Sequence, residues 1–139
     1  PTDFSEYSDK ALKQALDIAK QYNAQVFLFH VLSGDIQLCI GDVCLSDEII
    51  REMETQLIKR AQEDLQKQID KFPQSKEVSV ISDIGTGIPY EAILKESTDR
   101  GIDLIVIASL GRSAIARFLV GSVARNVLKG AKCPVLLTK

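Results

Sequence analysis

The chain alternates between short, continuous apolar runs and segments in which apolar residues recur every three or four positions. Runs such as Val26–Leu32 and Ile102–Ala108 are typical of strands covered on both faces, whereas recurrence at helical spacing indicates amphipathic helices. This alternation favours βαβ units and a parallel sheet. With 139 residues, 45% of them apolar, we expect residues 1–139 to form one α/β domain around one core.

The expected helices carry recognisable boundary signals. Ser5 can cap a first helix whose apolar face starts at Ala11. Ser46 introduces a long helix that Pro73 ends, and Pro89 suits the first position of a third helix. A fourth helix is predicted over residues 122–129. The long helix carries one apolar stripe, made of Ile50, Met53, Leu57, Ala61, Leu65, Ile69 and Phe72.

The strands after the long helix differ in pattern. Val78–Ile84 mixes apolar and polar positions, which predicts a strand near the sheet edge, and Pro134–Leu137 forms the last strand. The alternation also demands a strand before the first helix, for which Pro1–Asp3 is too short. We expect a doubly wound five-stranded parallel sheet of order 3-2-1-4-5, with helices on both faces. Its first strand is largely missing from this chain, and residues 1–3 form that strand's carboxyl end.

The net charge and the length of the apolar runs argue against two kinds of partner, nucleic acids and membranes. The net charge is −2, so no excess of Lys and Arg is available to neutralise the phosphates of DNA or RNA, and no nucleic-acid partner is expected. No apolar run approaches the roughly 20 residues that span a bilayer, and no export signal opens the chain. We therefore expect a cytoplasmic protein without a membrane partner.

The three cysteines are Cys39, Cys44 and Cys133, an odd number that suits a reducing compartment. Gly41-Asp42 could turn the chain and bring Cys39 and Cys44 together as a redox pair or metal site. The alternative is two reduced cysteines in a loop. Two thiols are too few ligands for a metal, and His30 lies in an apolar run, so no metal site is assigned.

The stretch after Ile107 carries the strongest signal for a ligand. Ligands of open parallel sheets bind outside the carboxyl ends of the strands. Here Gly111 is followed by Gly121-Ser122 at the start of a helix. Glycine lets backbone N–H groups approach an anion, and the helix start adds free donors and a positive dipole end. The pattern suits a phosphate group, although a simple helix cap would produce the same residues.

Several short motifs extend over the chain outside the loop Ser33–Leu45. They stand at Pro1–Ser5, His30-Val31, Gly87-Ile88-Pro89, Asp103–Ile107, Gly111, Gly121-Ser122 and Cys133–Leu136. Together they resemble the adenine-nucleotide-binding kind of the universal stress protein family. The resemblance implies a dimeric stress-response or regulatory protein that binds ATP, ADP or AMP, with magnesium accompanying the triphosphate.

The resemblance also implies roles for individual residues. Asp3 and Val31 would contact the adenine end, Val31 through its backbone, and residues 108–111 would flank the ribose and phosphates. Arg112 and the start of the last helix would meet the phosphates. The full predicted set is Pro1, Thr2, Asp3, Val31, Gly87, Ala108, Ser109, Gly111, Arg112, Gly121, Ser122 and Val123. Taken alone, Asp3 could instead cap the first helix, Arg112 and Arg117 could be solvated charges, and His30 a satisfied core or strand-end residue.

Two positions depart from the family pattern. Ala108 replaces the first glycine of the phosphate motif, and Leu110 replaces a common histidine. Alanine adds a methyl group and disfavours positive φ, so the change bears on affinity if that backbone is left-handed or touches the ligand. Gly111 and Gly121-Ser122 keep the anion-binding end intact.

Three functions fit these residues. The first is a nucleotide-binding regulatory protein. The second is a slow ATPase, but the chain lacks a Gly-x-x-x-x-Gly-Lys-Ser/Thr loop and a His-x-Gly-His motif, so efficient turnover is not expected and no catalytic residue is assigned. The third is an interaction module that binds no nucleotide, which Ala108 favours.

The last strand predicts how the protein assembles. Val135, Leu136 and Leu137 are apolar and lie at a sheet edge in the expected strand order. An apolar edge offers unpaired N–H and C=O groups to another strand. We therefore expect a homodimer that pairs these strands across a two-fold axis, as the resemblance implies. The alternative is an edge shielded by a loop or by residues 33–45.

Overall fold

The computed structural model describes residues 1–33, 39–40, 43–44, 46–112 and 120–139, and of residues 39–40 and 43–44 it describes the backbone only. The helices of these residues are α1 Glu6–Tyr22, α2 Asp47–Asp70, α3 Pro89–Asp99 and α4 Ser122–Gly130, with a 3-10 helix at Pro73–Lys76. The strands are β1 Val26–Leu32, β2 Cys39–Ile40, β3 Val43–Cys44, β4 Val80–Thr86, β5 Ile105–Ala108 and β6 Val135–Thr138.

The predicted α/β fold with parallel strands is confirmed. β1 pairs in parallel with β4, from Val26 opposite Val80 to Leu32 opposite Thr86. β5 pairs in parallel with β6 over their whole length. β2 and β3 form an antiparallel pair with Cys39 opposite Cys44, as expected if the chain turns between them; Gly41 and Asp42 themselves lie outside the described residues.

The two parallel pairs are not hydrogen-bonded to each other within the described chain. A cavity of about 90 Å³ lies between β1 and β5, bounded by α1 and α3. At one end of it the Thr2 amide donates to the Phe29 carbonyl at 2.8 Å, and Thr2 forms a parallel bridge with His30. This geometry is compatible with the order 3-2-1-4-5, which stays a prediction.

Two apolar clusters cover opposite faces of β1. Val26 and Leu28 pack with the buried residues of α1 and α2, namely Leu12, Leu16, Ala19 and Leu65. Phe29 and Val31 pack on the other face with residues of α3, β5 and α4, namely Ile93, Ile105, Ile107, Ala124 and Val127. Because successive side chains of a strand point to opposite faces, the continuous apolar run of β1 requires this cover on both sides.

The helix starts follow the sequence signals. The Ser5 hydroxyl accepts from the Ser8 amide at 3.2 Å, and the Ser46 hydroxyl accepts from the Ile49 amide at 3.4 Å. Pro89 is the first residue of α3. At the end of α2, however, Pro73 opens the 3-10 helix, and α2 itself stops at Asp70.

Three strands begin later than predicted, and for β6 the shift is one residue, to Val135–Thr138 from the predicted Pro134–Leu137. β5 starts at Ile105 and not at Ile102, because the Ile102 amide donates to the Ser97 carbonyl at 2.9 Å and so closes the end of α3. β4 starts at Val80 and not at Val78, which packs instead against the cluster between α1 and α2. No helix in the described ranges is both long and apolar enough to cross a bilayer.

Candidate functional site

A cleft of about 380 Å³ opens at the carboxyl ends of β1 and β5. The structure brings all the predicted site residues except Gly87 to its walls: Pro1, Thr2, Asp3, Val31, Ala108, Ser109, Gly111, Arg112, Gly121, Ser122 and Val123. His30, Ser33 and Pro89 also line it, and the sequence argument had not placed them there. Leu110 lines it as part of the predicted stretch 108–111. The cleft therefore joins residues 1–3, 30–33, 108–112 and 121–123 with Pro89, which are far apart along the chain.

Asp3 ties two of these segments together. One carboxylate oxygen, Oδ2, accepts from the backbone amide of Arg112 at 2.7 Å. The other, Oδ1, accepts from the Ser5 amide at 3.1 Å and from the Ser5 hydroxyl at 2.6 Å. Since Ser5 caps α1, Asp3 supports the helix cap and also holds the loop after β5. The N-cap is therefore Ser5 and not Asp3, and contact of Asp3 with a ligand stays a prediction.

These contacts set the ionisation of Asp3. Burial by itself raises the pKa of the Asp3 carboxyl, but hydrogen bonds from the Ser5 hydroxyl, the Arg112 amide and the Ser5 amide outweigh it and hold the pKa below its ordinary value of 3.8. Asp3 is therefore a charged acceptor at neutral pH.

Gly111 gives Asp3 the room it needs. A Cβ atom at position 111 would clash with Asp3 Oδ2, the oxygen bound by the neighbouring Arg112 amide. The backbone of Gly111 does not have a positive φ. Glycine is thus required here for close approach and not for a left-handed conformation.

A stack of side chains adjoins Asp3. The centroids of the Phe4 and His30 rings are 4.3 Å apart. The Arg112 guanidinium lies 5.7 Å from the centroid of the Phe4 ring, which is a cation–π contact. His30 Nδ1 is 2.9 Å from the Thr2 carbonyl, which can only accept, so this nitrogen carries the proton. Phe4 has φ of 62°, which is uncommon for a bulky residue. His30 is accordingly a satisfied strand-end residue, as one alternative had it, and it also borders the cleft.

Thr2 is anchored from beneath the cleft. Its hydroxyl donates to Gln68 Oε1 at 2.8 Å and accepts from the Phe4 amide at 3.0 Å. Gln68, only 2% exposed, in turn donates to Asp9 Oδ1 at 2.7 Å, and Lys71 pairs with the same carboxylate at 2.7 Å. The sequence argument missed Gln68, since a polar residue on α2 gives no signal that it is buried. The network fixes the start of the chain to α2.

The opposite wall is the start of α4. Gly121 is the N-cap, and its amide donates to the Ser109 carbonyl at 2.7 Å. The Gly121 N–H is therefore already used within the protein. Among the described residues, the amides of Ser122 and Val123 have no acceptor, as expected for the first turn of a helix. They form the donor group that this wall presents to the cleft.

Ala108 sits in regular strand structure. It pairs with Thr138 in the β5–β6 ladder and is 9% exposed, and it is not among the residues with positive φ. This position therefore does not need glycine's conformational freedom. Its methyl group lies at the cleft wall without requiring a left-handed backbone.

One predicted contributor, Gly87, lies outside the cleft. Gly87 has φ of 105° and donates to the Leu32 carbonyl at 3.2 Å, so it forms the turn after β4, on the side of β1 away from β5. Because neighbouring residues of a strand direct their backbone groups to opposite sides, the Val31 carbonyl points toward the cleft side. Arg117 lies outside the described residues. The described residues contain no group of three or more metal-binding side chains.

The sequence of the chain matches that of known proteins over its whole length. The model of the universal stress protein family matches residues 1–139. Universal stress protein MJ0531 of Methanocaldococcus jannaschii is 33% identical over 139 residues, which cover all of this chain and 79% of that protein.

Solved structures give the same result for the fold. The structure of protein MJ0577 from the same archaeon superposes with a TM-score of 0.78 at 30% identity, over 100% of this chain and 92% of that one. A universal stress protein in complex with cAMP superposes with a TM-score of 0.66 at 23% identity, over 99% of this chain and 91% of that one. At the latter identity the likeness concerns the fold alone.

Proposed function

The chain belongs to the universal stress protein family, and on that premise we propose that its cleft binds an adenine nucleotide, ATP or AMP in the first place, as part of a regulatory protein of the stress response. The observation that carries the proposal is that one wall of the cleft presents hydrogen-bond donors and the other presents acceptors. Free amides at the start of α4 face a wall that ends in the Val31 carbonyl and the Asp3 carboxylate. A relative of known structure binds cAMP, an adenine nucleotide.

The α4 wall suits the phosphates. The Ser122 and Val123 amides and the Ser122 hydroxyl are donors at the positive end of a helix dipole, where anions are stabilised. Arg112 adds a positive charge on the same cleft. We propose with this that residues 108–111 and Gly121 lie beside the ribose and phosphates, as their place in the cleft lining supports.

The wall formed by Val31 and Asp3 suits the base. The Val31 carbonyl can accept a hydrogen bond from an amino group such as that of adenine, and the His30 ring, stacked against Phe4, offers a flat surface at the cleft. Asp3 acts in this proposal by holding the Gly111–Arg112 backbone in place as well as by contacting the ligand. Magnesium would be held chiefly by the phosphates themselves, which is how this ion is usually bound beside nucleotides.

Binding, and not catalysis, is the expected activity. Rapid phosphoryl transfer needs a positioned nucleophile and several charged groups around the transferred phosphate. Arg112 is the one Lys or Arg side chain lining the described cleft, and Asp3 accepts from backbone and hydroxyl donors of the protein itself. Any ATP turnover should therefore stay far below about 1 per second, and a robust rate that survives rigorous purification would contradict this proposal.

The deciding experiment is identification of the nucleotide released when purified protein is denatured, followed by calorimetry with ATP and magnesium. Gly121→Val should abolish binding because its side chain would fill the phosphate end. Gly121→Ala is the matched control, since its Cβ would meet only the Ser109 carbonyl oxygen at an ordinary 3.5 Å. No heat at millimolar ATP would favour an interaction module that binds no nucleotide.

We also propose that the protein is a homodimer through β6. Within the described chain β6 pairs only with β5, so its second edge is open, and Val135–Leu137 are only half-buried. In equilibrium sedimentation Leu136→Lys should dissociate the dimer while helical circular dichroism is kept, because like charges would oppose each other across the axis. A native monomer at micromolar concentration, or a dimeric mutant, would exclude this interface.

For the sheet we propose the predicted order 3-2-1-4-5, whose strands 3, 2, 4 and 5 are β4, β1, β5 and β6 of the structure. Strand 1 of that order is an extended segment that ends at residues 1–3 and takes the place between β1 and β5. The cavity between these strands and the Thr2 bridge to His30 support it. An intact mass of the native protein equal to that of the 139-residue chain would contradict it.

A further inference from the structure

Two of the three cysteines stand at matching positions of one strand pair. Cys39 begins β2 and Cys44 ends β3, and in the antiparallel register of these strands the two residues are direct partners. Residues directly opposite each other in such a pair lie on the same face, with Cα atoms about 4.5–5.5 Å apart. A disulfide joins residues whose Cα atoms are about 4.4–6.8 Å apart. The register therefore places the two cysteines at a spacing that a disulfide can bridge.

The length of the connection supports this register. Only Gly41 and Asp42, which lie outside the described residues, separate β2 from β3. Two residues are the commonest connection of a β-hairpin, and glycine followed by aspartate is typical of it. Since the strand pairing already holds the two cysteine positions together, little additional chain entropy opposes closure of a ring between them. The sequence and the backbone thus agree on a hairpin with one cysteine at each of its open ends.

The third cysteine stands apart from this hairpin. Cys133 comes two residues before β6 and packs against the apolar cluster that contains Phe29 and Val31. In the described strand pairs it stands opposite no other cysteine. Cys133 therefore provides a thiol of the same chain without an opposed partner, and it serves as an internal control.

We propose that Cys39 and Cys44 form a reversible disulfide by exchange with a small-molecule disulfide such as oxidised glutathione. One thiolate attacks oxidised glutathione, forms a mixed disulfide and releases one glutathione. The second thiolate attacks the protein sulfur of the mixed disulfide, so that the bond between Cys39 and Cys44 forms and a second glutathione leaves. The two thiol protons end on the two released glutathione molecules, which have gained the two electrons that the protein has lost.

The place of the hairpin makes this a regulatory site and not a structural staple. In a reducing compartment protein disulfides are usually transient and redox-sensing. The hairpin belongs to the connection between Ser33, which lines the cleft, and Ser46, which caps α2. Oxidation would therefore cross-link a segment that adjoins the cleft. The inference itself depends neither on nucleotide binding nor on the β6 dimer.

Oxidation of the purified full chain by glutathione disulfide tests the proposal, with alkylation of free thiols and mass mapping of peptides as the measurement. Wild type and Cys133→Ser should each form one disulfide within the chain, between Cys39 and Cys44, and dithiothreitol should reduce it. Cys39→Ser and Cys44→Ser should each stop at the mixed disulfide, because no second thiol displaces the glutathione. Helical circular dichroism checks that each variant keeps its fold.

The double variant Val43→Cys/Cys44→Ser is the matched control for the register. It keeps two thiols in the hairpin but moves one of them by a single position, and so to the other face of the pair. Its disulfide within the chain should form at least about tenfold more slowly than that of the wild type. Equal rates would show that closeness along the chain, and not the register, brings the thiols together, and would overturn the inference. So would a wild type that keeps glutathione on both cysteines, that forms disulfides only between chains, or that stays reduced.

Discussion

The two walls of the cleft differ in how far the protein itself satisfies their polar groups. On the first wall, Asp3 accepts three hydrogen bonds and Thr2 is tied to Gln68. On the second, the Ser122 and Val123 amides have no acceptor among the described residues. Groups with internal partners contribute mainly to positioning, whereas free donors remain available to a ligand. Substitutions on the first wall should therefore affect stability, and those on the second should affect binding.

The largest effect should come from Asp3→Ala. It removes the acceptor for the Arg112 amide and for Ser5, so we expect the free energy of unfolding to fall by about 2 kcal/mol in urea titrations. Asp3→Asn keeps one carbonyl acceptor and should cost about half as much. A loss below about 0.5 kcal/mol for the alanine variant would mean that Asp3 is not a positioning residue.

Gly111→Ala should come next, at about 1–1.5 kcal/mol, because its methyl group displaces the Asp3 carboxylate. The effect should nearly vanish in an Asp3→Ala background, which a double-mutant cycle measures directly. Gly121→Ala is the control on the second wall, where the new methyl group meets no close neighbour. Additive costs for Asp3→Ala and Gly111→Ala would contradict the proposed contact.

The Asp3 contribution should depend on pH. The folded-state pKa is below the ordinary value of 3.8, so the ionised carboxylate stabilises the folded state above that value. This stability is lost as pH falls through the folded-state pKa. The difference in unfolding free energy between wild type and Asp3→Asn should thus be constant near neutrality and shrink below about pH 4. A difference that stays constant into this acid range would mean that the charge of the Asp3 carboxylate does not stabilise the folded state.

The smallest effect on stability should come from Ser122→Ala. The hydroxyl has no partner in the described structure, so the free energy of unfolding should change by less than about 0.5 kcal/mol. Affinity for ATP should fall several-fold if the hydroxyl contacts a phosphate, as calorimetry would detect. Equal affinity in the two proteins would remove Ser122 from the site and leave only backbone donors on this wall.

Local signals predicted much of the fold. Ser5, Ser46 and Pro89 mark helix starts because capping and a missing N–H act within one turn. Strand β1 was predicted with its observed bounds, because seven continuous apolar residues leave little choice. The bounds of β4 and β5 were less accurate. The residues predicted to start these strands have other contacts. Ile102 donates to the Ser97 carbonyl at the end of α3, and Val78 packs against the core.

For the site, too, local signals predicted some features and missed others. Glycines and strand ends indicated which segments meet, and all but Gly87 do meet. The apolar stripe of α2 gave no indication that Met53 and Leu57 would stay exposed while Ala61 and Leu65 are buried. Periodicity shows that a face is apolar and does not show how far the neighbouring elements extend along it.

By itself, then, the order of apolar runs, caps and glycines determined the α/β class, the helix starts, the bounds of β1 and the segments that form the cleft. Only the tertiary structure decided that Asp3 binds the Arg112 amide, that Gly111 makes room for it and that the Gly121 amide is already used. The physical reason is range. Capping and periodicity act between residues a few positions apart, whereas these contacts join residues brought together only when the sheet and its helices pack.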